Sequence, residues 1–244
     1  MKYGLFSDIH GNLEAFEAVL KALKKEKVDQ YLFLGDIVGY GADPRACIDL
    51  LKDLVKANTC LCVAGNHDYA VCGLSSTEYF VQYAKESIAW TKTRLQEEEM
   101  NFLSQMKLVQ HVGDITIVHA SLEGPSEWRY IFDIDDAFPN FKLLKGRVCF
   151  VGHSHKPIIF TAGETVAWST HDRMVIRPDV KYIINIGSVG QPRDGNPRAS
   201  YALYDTQAQT VRIKRVAYPV EKAQEKILAA GLPKILAERL CCGK

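Results

Sequence analysis

Five short segments, far apart in the chain, carry side chains of the types that bind divalent metal ions. They are Asp8-Ile9-His10, Gly35-Asp36, Gly65-Asn66-His67-Asp68, His119-Ala120 and Gly152-His153-Ser154-His155. Hard and borderline divalent ions take carboxylate, imidazole and amide-oxygen ligands, and no single segment supplies enough of them. Residues two positions apart, such as Asp8 and His10 or His153 and His155, can converge on one ion just past the end of a strand. We therefore predict one metal site that draws ligands from all five segments.

The same residues indicate a hydrolytic chemistry. Asp36 has two carboxylate oxygens and can bridge two ions about 3.5–4 Å apart. Two such ions clamp a phosphate, neutralise its charge and lower the pKa of a bound water. The leaving oxygen then needs a proton, and His67 is placed to supply it, with Asp68 orienting or tuning the imidazole. Asn66 contributes a neutral oxygen that limits the negative charge facing an anionic substrate.

Each segment alone also has an ordinary structural interpretation. Asp-x-His after a strand is commonly a capping pair, Gly-Asp is commonly a turn, and a single histidine such as His119 is commonly part of a core. All five segments occur in order, each after an apolar run, and motif matches gain their meaning from such context. The combination favours the metal site over five separate structural roles.

The preceding apolar runs predict the elements that must position these residues. The five runs are Tyr3–Phe6, Tyr31–Leu34, Cys60–Ala64, Ile115–Val118 and Val148–Val151. Apolar residues at three- and four-residue spacing predict a helix between the first and second runs and another between the second and third. Strand–helix–strand units imply parallel strands, whose carboxyl ends hold the ligand site in open α/β sheets. We expect the five segments to meet at one edge of a sheet.

The rest of the chain predicts a single domain over residues 1–244. Residues 77–106 are predicted to form a helical insertion, and residues 120–143 a loop near the site. The second half is predicted to be mostly strands, followed by a C-terminal helix interrupted at Gly231-Leu232-Pro233.

Composition excludes several classes of function. The 244 residues carry a formal net charge of +1, so we expect no sequence-specific nucleic-acid binding. No apolar run approaches the roughly 20 residues that a membrane-spanning helix needs. The N-terminus passes almost at once into a strand and leaves no room for a signal peptide. These observations predict a soluble, cytoplasmic protein; they do not indicate an oligomeric state.

The motif series D-x-H, G-D, G-N-H-[D/E], H and G-H-x-H, over residues 8 to 155, resembles that of the calcineurin-like metallophosphoesterase superfamily. The resemblance implies a four-layer α/β/β/α sandwich of two mixed sheets and two divalent transition-metal ions (Mn, Fe, Zn or Ni). It implies that one ion is held by Asp8, His10, Asp36 and His155. It implies that the other is held by Asp36, Asn66, His119 and His153, with His67 as the proton donor.

The chain departs from the protein-phosphatase branch of that family at Gly39 and Tyr40. These residues replace an Asp that supports the catalytic histidine and an Arg that grips phosphate, so a protein phosphatase is not expected. The stretch from Asn185 to Gly195 is similar to the tail signature of small prokaryotic members, which are often described as phosphodiesterases or diadenosine tetraphosphatases. Within it, Arg193 is suited to grip phosphate; its ordinary alternative is an ion pair with a carboxylate such as Asp194.

Aromatic side chains near the predicted site suggest a specificity. Trp128, Tyr130 and Phe132 can stack a nucleobase or simply pack on one another, and Tyr40 is a candidate for lining the pocket. The sequence thus favours a metal-dependent phosphodiesterase or nucleotide and dinucleoside-polyphosphate hydrolase acting on a small substrate. A broad-specificity phosphomonoesterase remains an alternative. So does a non-catalytic interaction scaffold of the same fold, as in the retromer-type subunit.

Overall fold

Strands and helices alternate in the first third of the chain, and strands dominate after residue 145. The computed structural model describes all residues from 1 to 244. The strands are β1 (Lys2–Phe6), β2 (Gln30–Phe33), β3 (Cys60–Cys62), β4 (Val109–Val112), β5 (Ile115–Val118), β6 (Val148–Val151), β7 (Ile158–Ala162), β8 (Val166–Ser169), β9 (Arg173–Val175), β10 (Lys181–Asn185), β11 (Ala199–Asp205) and β12 (Thr210–Val216). The α-helices are α1 (Leu13–Lys25), α2 (Pro44–Lys56), α3 (Asn66–Val71), α4 (Gln82–Lys92), α5 (Glu97–Ser104), α6 (Ile134–Leu143), α7 (Val220–Ala229) and α8 (Lys234–Cys242).

The strands form two six-stranded mixed sheets. The first has the order β3-β2-β1-β11-β12-β9, and the second has the order β4-β5-β6-β10-β7-β8. In the first sheet β1, β2 and β3 are mutually parallel, and in the second β5, β6 and β10 are. The parallel strands of each sheet deliver their carboxyl ends to a common side, as the sequence predicts.

Three apolar layers hold two sheets and two sets of helices together. The largest contains Phe6, Phe16 and Leu236 and lies between the first sheet and helices α1, α2, α7 and α8. A second, with Leu5 and Phe150, fills the space between the sheets, and a third, with Phe141 and Ile183, lies between the second sheet and α6. The predicted four-layer α/β/β/α sandwich is confirmed.

Local sequence explains where the first helices begin. The Asn12 side chain accepts a hydrogen bond from the backbone N–H of Ala15 and so satisfies a free donor of the first turn of α1. α2 begins at Pro44, whose fixed φ suits the first helical position. Both helices bury one apolar stripe against the first sheet.

The prediction of a loop over residues 120–143 is wrong for the second half of that segment. Residues 120–133 are irregular apart from a short 3₁₀ turn, whereas Ile134–Leu143 is helix α6. Asp133 caps that helix by accepting from the N–H of Asp136, and Ala137 and Phe141 face the core. Pro139 argues against a helix in the sequence, but the ten-residue helix accommodates it and Ala137 and Phe141 still pack against the second sheet. Residues 77–106 contain helices α4 and α5, as predicted.

No helix in the molecule has the length and apolar character to cross a bilayer.

Candidate metal centre

The predicted ligand residues lie together, but at the ends of two sheets rather than at one sheet edge. β1, β2 and β3 deliver Asp8, Asp36 and Asn66 from the first sheet. β5 and β6 deliver His119 and His153 from the second. The expectation of a single sheet edge is therefore wrong, because the sequence pattern of a strand does not say which sheet the strand joins.

One group of ligand atoms comes from Asp8, His10 and His155. His155 Nε2 lies 3.3 Å from Asp8 Oδ1, and His10 Nε2 lies 3.8 Å from the same oxygen. The two imidazole Nε2 atoms are 3.0 Å apart. Two nitrogen lone pairs at this distance repel each other unless a proton or a cation lies between them.

A second group comes from Asp36, His119 and His153. Their ligand atoms all lie within 4.8 Å of one another. Asp36 Oδ2 is 3.3 Å from His119 Nε2 and 3.7 Å from His10 Nε2, so this carboxylate lies between the two groups. Asn66 Oδ1, at the start of α3, is 3.2 Å from His119 Nε2 and adds the amide oxygen. His10, Asp36 and His67 form a third group that overlaps the other two, so the division of the ligands into two sets stays a prediction.

Backbone carbonyls fix three of the imidazole rings. The Nδ1 atoms of His10, His119 and His155 lie 3.0, 2.7 and 2.5 Å from the carbonyl oxygens of Val38, Leu34 and Gln191. Donation from Nδ1 selects the tautomer whose Nε2 lone pair points into the site, which is the form that binds a metal ion.

The backbone is strained where it presents these ligands. Positive φ values of 51° to 66° occur at five of the candidate ligands, namely Asp8, His10, Asp36, His153 and His155. Non-glycine residues rarely adopt this region, at a cost of about 1–2 kcal/mol each. Such strain persists where the surrounding structure imposes it, typically at functional sites.

The electrostatic environment of the site favours positive charge. Burial opposes protonation of His119, but the charges of Asp36 and Asp8 and the hydrogen bond to the Leu34 carbonyl together outweigh it and raise the pKa of His119 to about 9. Burial lowers the pKa of His153 to about 3, so that ring is neutral at pH 7. His153 Nε2 is buried and has no hydrogen-bond partner.

These observations fit a divalent cation. The donors are two carboxylates, four imidazoles and an amide oxygen, and all are at most 7% exposed. An orphaned imidazole nitrogen and two facing Nε2 atoms are costly without a cation and are satisfied by one.

Asp68 forms no hydrogen bond to the ring of His67, in contrast to the sequence-based hypothesis. His67 packs between the rings of His10 (4.8 Å), Tyr40 (4.5 Å) and Phe80 (5.0 Å), beside the metal groups. Its Nδ1 atom is buried and has no partner, so Asp68 does not orient the ring. The Asp68 carboxylate instead accepts hydrogen bonds from the backbone N–H groups of Asp36 (2.8 Å), Ile37 (3.0 Å) and Gly65 (2.9 Å). It therefore fixes the loop that carries Asp36.

The predicted substrate-contacting residues all line one cavity of about 290 Å³ beside the metal groups. Arg193 donates to Gln191 Oε1 (2.8 Å) and to the hydroxyl of Tyr40 (3.4 Å), and no carboxylate forms an ion pair with it. Asp194, its predicted alternative partner, pairs with Arg215 instead. The Arg193 guanidinium thus remains available at the cavity wall.

The aromatic residues of the 120–133 segment support the metal groups. Tyr130 stacks on the imidazole of His153, with ring centres 4.0 Å apart, and Phe132 stacks on Tyr130 at 4.8 Å. Trp128 contacts Tyr69 and His119 edge-on, at 5.6 and 6.0 Å. These rings are engaged within the chain, which favours the local-packing alternative over nucleobase stacking for Trp128 and Tyr130.

Sequence reasoning missed the contributions of Gly39 and Phe80. Gly39 has φ of +88° and lies against His67, where an added Cβ would contact the ring. The departure from the family motif at this position was the available signal. Phe80 gave none, because its contact with His67 arises only from the tertiary fold.

The fold and the site together define a metal-dependent phosphoester hydrolase. Residues 1–209 match the model of the calcineurin-like phosphoesterase superfamily domain, and the chain belongs to this family. The predicted resemblance is confirmed.

Three relatives illustrate the similarity. The chain is 42% identical to the uncharacterized protein MJ0912 of Methanocaldococcus jannaschii, over 98% of this chain and 97% of that protein. The crystal structure of a metallophosphoesterase from Sphaerobacter thermophilus is 38% identical and superimposes with a TM-score of 0.87, covering 100% of this chain and 99% of the other. The phosphodiesterase YfcE of Escherichia coli K12 is 25% identical over 86% of this chain and 91% of that protein.

Proposed function

We propose that this protein hydrolyses phosphodiesters with two divalent transition-metal ions. The observation that carries the proposal is the pair of ligand groups, with the Asp36 carboxylate between them, beside a cavity that holds an arginine without a carboxylate partner. Asp8, His10, Asp36 and His155 would hold one ion, and Asp36, Asn66, His119 and His153 the other. When bound, such ions neutralise phosphate charge and activate water for attack.

The remaining side chains of the cavity would act on the substrate directly. Arg193 grips the phosphate, because a guanidinium matches phosphate oxygens in a bidentate contact. His67 donates a proton to the leaving oxygen. Burial lowers the pKa of His67 to about 4, so its ring is neutral at rest. An anionic substrate in the cavity raises that pKa and favours the protonated ring.

Two other functions are compatible with the same fold, a broad phosphomonoesterase and a non-catalytic scaffold. A broad phosphomonoesterase uses the same groups, and the choice of a diesterase is supported by the function named for the E. coli relative. A non-catalytic scaffold needs neither intact ligands nor His67, and the presence of the complete set weighs against it.

A substrate and metal panel tests the proposal. Protein loaded in turn with Mn, Fe, Zn or Ni is assayed on bis-nitrophenyl phosphate, nitrophenyl phosphate and diadenosine tetraphosphate. We expect kcat/KM to be greatest for one of the two substrates with bridging phosphate, the diester or the dinucleotide. A preference for nitrophenyl phosphate supports the monoesterase, and silence on all three by protein with two ions bound per chain supports the scaffold.

A further inference from the structure

The cavity beside the metal groups has a second wall with no role in metal binding. This wall is formed by Ser76, Tyr79, Phe80, Val81 and Tyr83, from the loop before α4 and the first turn of that helix. The cavity volume of about 290 Å³ is close to the lower limit of pockets that enclose drug-sized ligands. The cavity therefore has room for a substituent of the phosphate as well as the phosphate itself.

Most of the rings on this wall are engaged within the chain, and Tyr79 is not. Phe80 packs on His67, and the ring of Tyr83 lies beneath the guanidinium of Arg239. The side chain of Tyr79 is 93% exposed at the rim of the cavity and forms no hydrogen bond. Tyr79 therefore presents an aromatic face at the cavity rim that no other ring of the chain covers.

Hydroxyl groups on the same wall can donate hydrogen bonds. The Ser76 oxygen accepts from the N–H of Glu78 (3.0 Å), which leaves its own proton free. The Tyr83 oxygen accepts from Arg239 (3.1 Å), which leaves its proton free as well. A planar heteroaromatic ligand has an apolar face that can stack on Tyr79. The polar atoms at its edge can accept hydrogen bonds from these hydroxyls. A polyol would leave most of its hydroxyls unpaired against this wall, and an acyl chain would not use the donors.

We propose that this wall binds a planar aromatic substituent of the substrate, a nucleobase, and that Tyr79 stacks on it. The inference rests on the proposed diesterase function and specifies its substrate as a nucleotide diester. Stacking of a base on an aromatic side chain contributes about 1–3 kcal/mol, which corresponds to a preference of about 5-fold to 150-fold.

The test compares two diesters that differ only in the base, adenosine 5′-(methyl phosphate) and ribose 5′-(methyl phosphate). Hydrolysis of each is followed by ³¹P NMR with the metal-loaded protein. We expect kcat/KM to be about 5-fold to 150-fold higher for the adenosine compound. Equal kcat/KM values for the two compounds would refute the proposal that this wall binds a base.

Substitutions of Tyr79 separate stacking from bulk. Tyr79→Phe keeps the aromatic face and should retain the preference, whereas Tyr79→Ala should abolish it and Tyr79→Leu should reduce it. Trp168→Ala is the matched control, because Trp168 is also exposed (58%) but lies on β8 away from the cavity. An unchanged preference in Tyr79→Ala would overturn the role of Tyr79.

A binding measurement keeps the inference testable if neither diester is hydrolysed. Absence of hydrolysis contradicts the proposed diesterase function, but it does not test whether this wall binds a base. Calorimetric titration of the metal-loaded protein with adenosine 5′-monophosphate and with ribose 5-phosphate then reports the base contribution alone. Tighter binding of the nucleotide, lost in Tyr79→Ala, supports the wall; equal affinities overturn it.

Discussion

Replacement of Gly39 by alanine tests whether the placement of His67 matters for catalysis. A Cβ at position 39 would overlap Nδ1 of His67 and lie 3.0 Å from its Cγ and 3.2 Å from its Cε1. The ring cannot retreat easily, since Tyr40 and Phe80 pack on it at 4.5 and 5.0 Å. We expect the substitution to turn His67 away from the substrate.

Two effects of Gly39→Ala have separate magnitudes. The first is backbone strain at φ of +88°, which we expect to lower the free energy of unfolding by about 1–2 kcal/mol. The second is loss of the proton donor, and positioned acids contribute about 10²- to 10⁴-fold to rate. Metal content should stay unchanged, because the three atoms nearest to the added Cβ all belong to His67, which is not among the seven candidate ligands.

Gly73→Ala separates the two effects. Gly73 has φ of +74°, but an added Cβ there has no neighbour within 4 Å. Denaturant unfolding should report similar destabilisation in both variants, whereas kcat on a phosphodiester should fall only in Gly39→Ala. Metal content is measured on both by mass spectrometry. If His67 is the donor, adding His67→Ala to Gly39→Ala should cause little further loss. Wild-type kcat in Gly39→Ala with full metal content would refute the reasoning.

Four further predictions follow from the site. Asp68→Asn should lower both Tm and the amount of bound metal, because the new NH2 group cannot accept hydrogen bonds from the backbone N–H groups that Asp68 binds, and the loop carrying Asp36 is loosened. An altered pH profile with normal metal content would instead favour the hypothesis that Asp68 tunes His67. Arg193→Ala should raise KM for phosphoesters with metal content intact, whereas Arg198→Ala, an exposed neighbour, should not; equal KM values for wild type and Arg193→Ala would contradict phosphate binding. Chelation should abolish hydrolysis and lower Tm, and both should recover when the ion is restored, since a ligand that binds only the folded state stabilises it. Trp128→Leu should reduce activity on nucleotide and nitrophenyl substrates alike, because Trp128 packs on His119; a loss confined to nucleotides would restore its proposed stacking role.

The clustering of the candidate ligands could be predicted because each member follows a local pattern. A run of buried residues followed at once by Asp or His identifies both a strand and its carboxyl end, so Asp8 and His119 needed no tertiary information. The two-residue spacing of His153 and His155 worked in the same way. Local patterns failed at α6, where Pro139 masked a helix that packing against the second sheet stabilises.

The roles of Asp68 and Arg193 could not be settled in the same way. Asp68 is adjacent to His67 in sequence, but the first turn of α3 directs its carboxylate to backbone donors near Asp36. Arg193 is adjacent to Asp194, yet that carboxylate is drawn to Arg215 on β12. Neighbours in sequence have different partners because the chain direction at a turn separates their side chains.

The sequence by itself determined which residues are candidate metal ligands, which strands carry them and which family the chain resembles, because these depend on residue type and short spacing. Only the tertiary structure decided that the ligands come from two sheets, that strained backbone and carbonyl oxygens aim them, and that Asp36 lies between the two groups. It also decided which aromatic rings are engaged and which one, Tyr79, is left free. The physical reason is that hydrogen-bond partners, ring contacts and exposure are properties of segments brought together from distant parts of the chain.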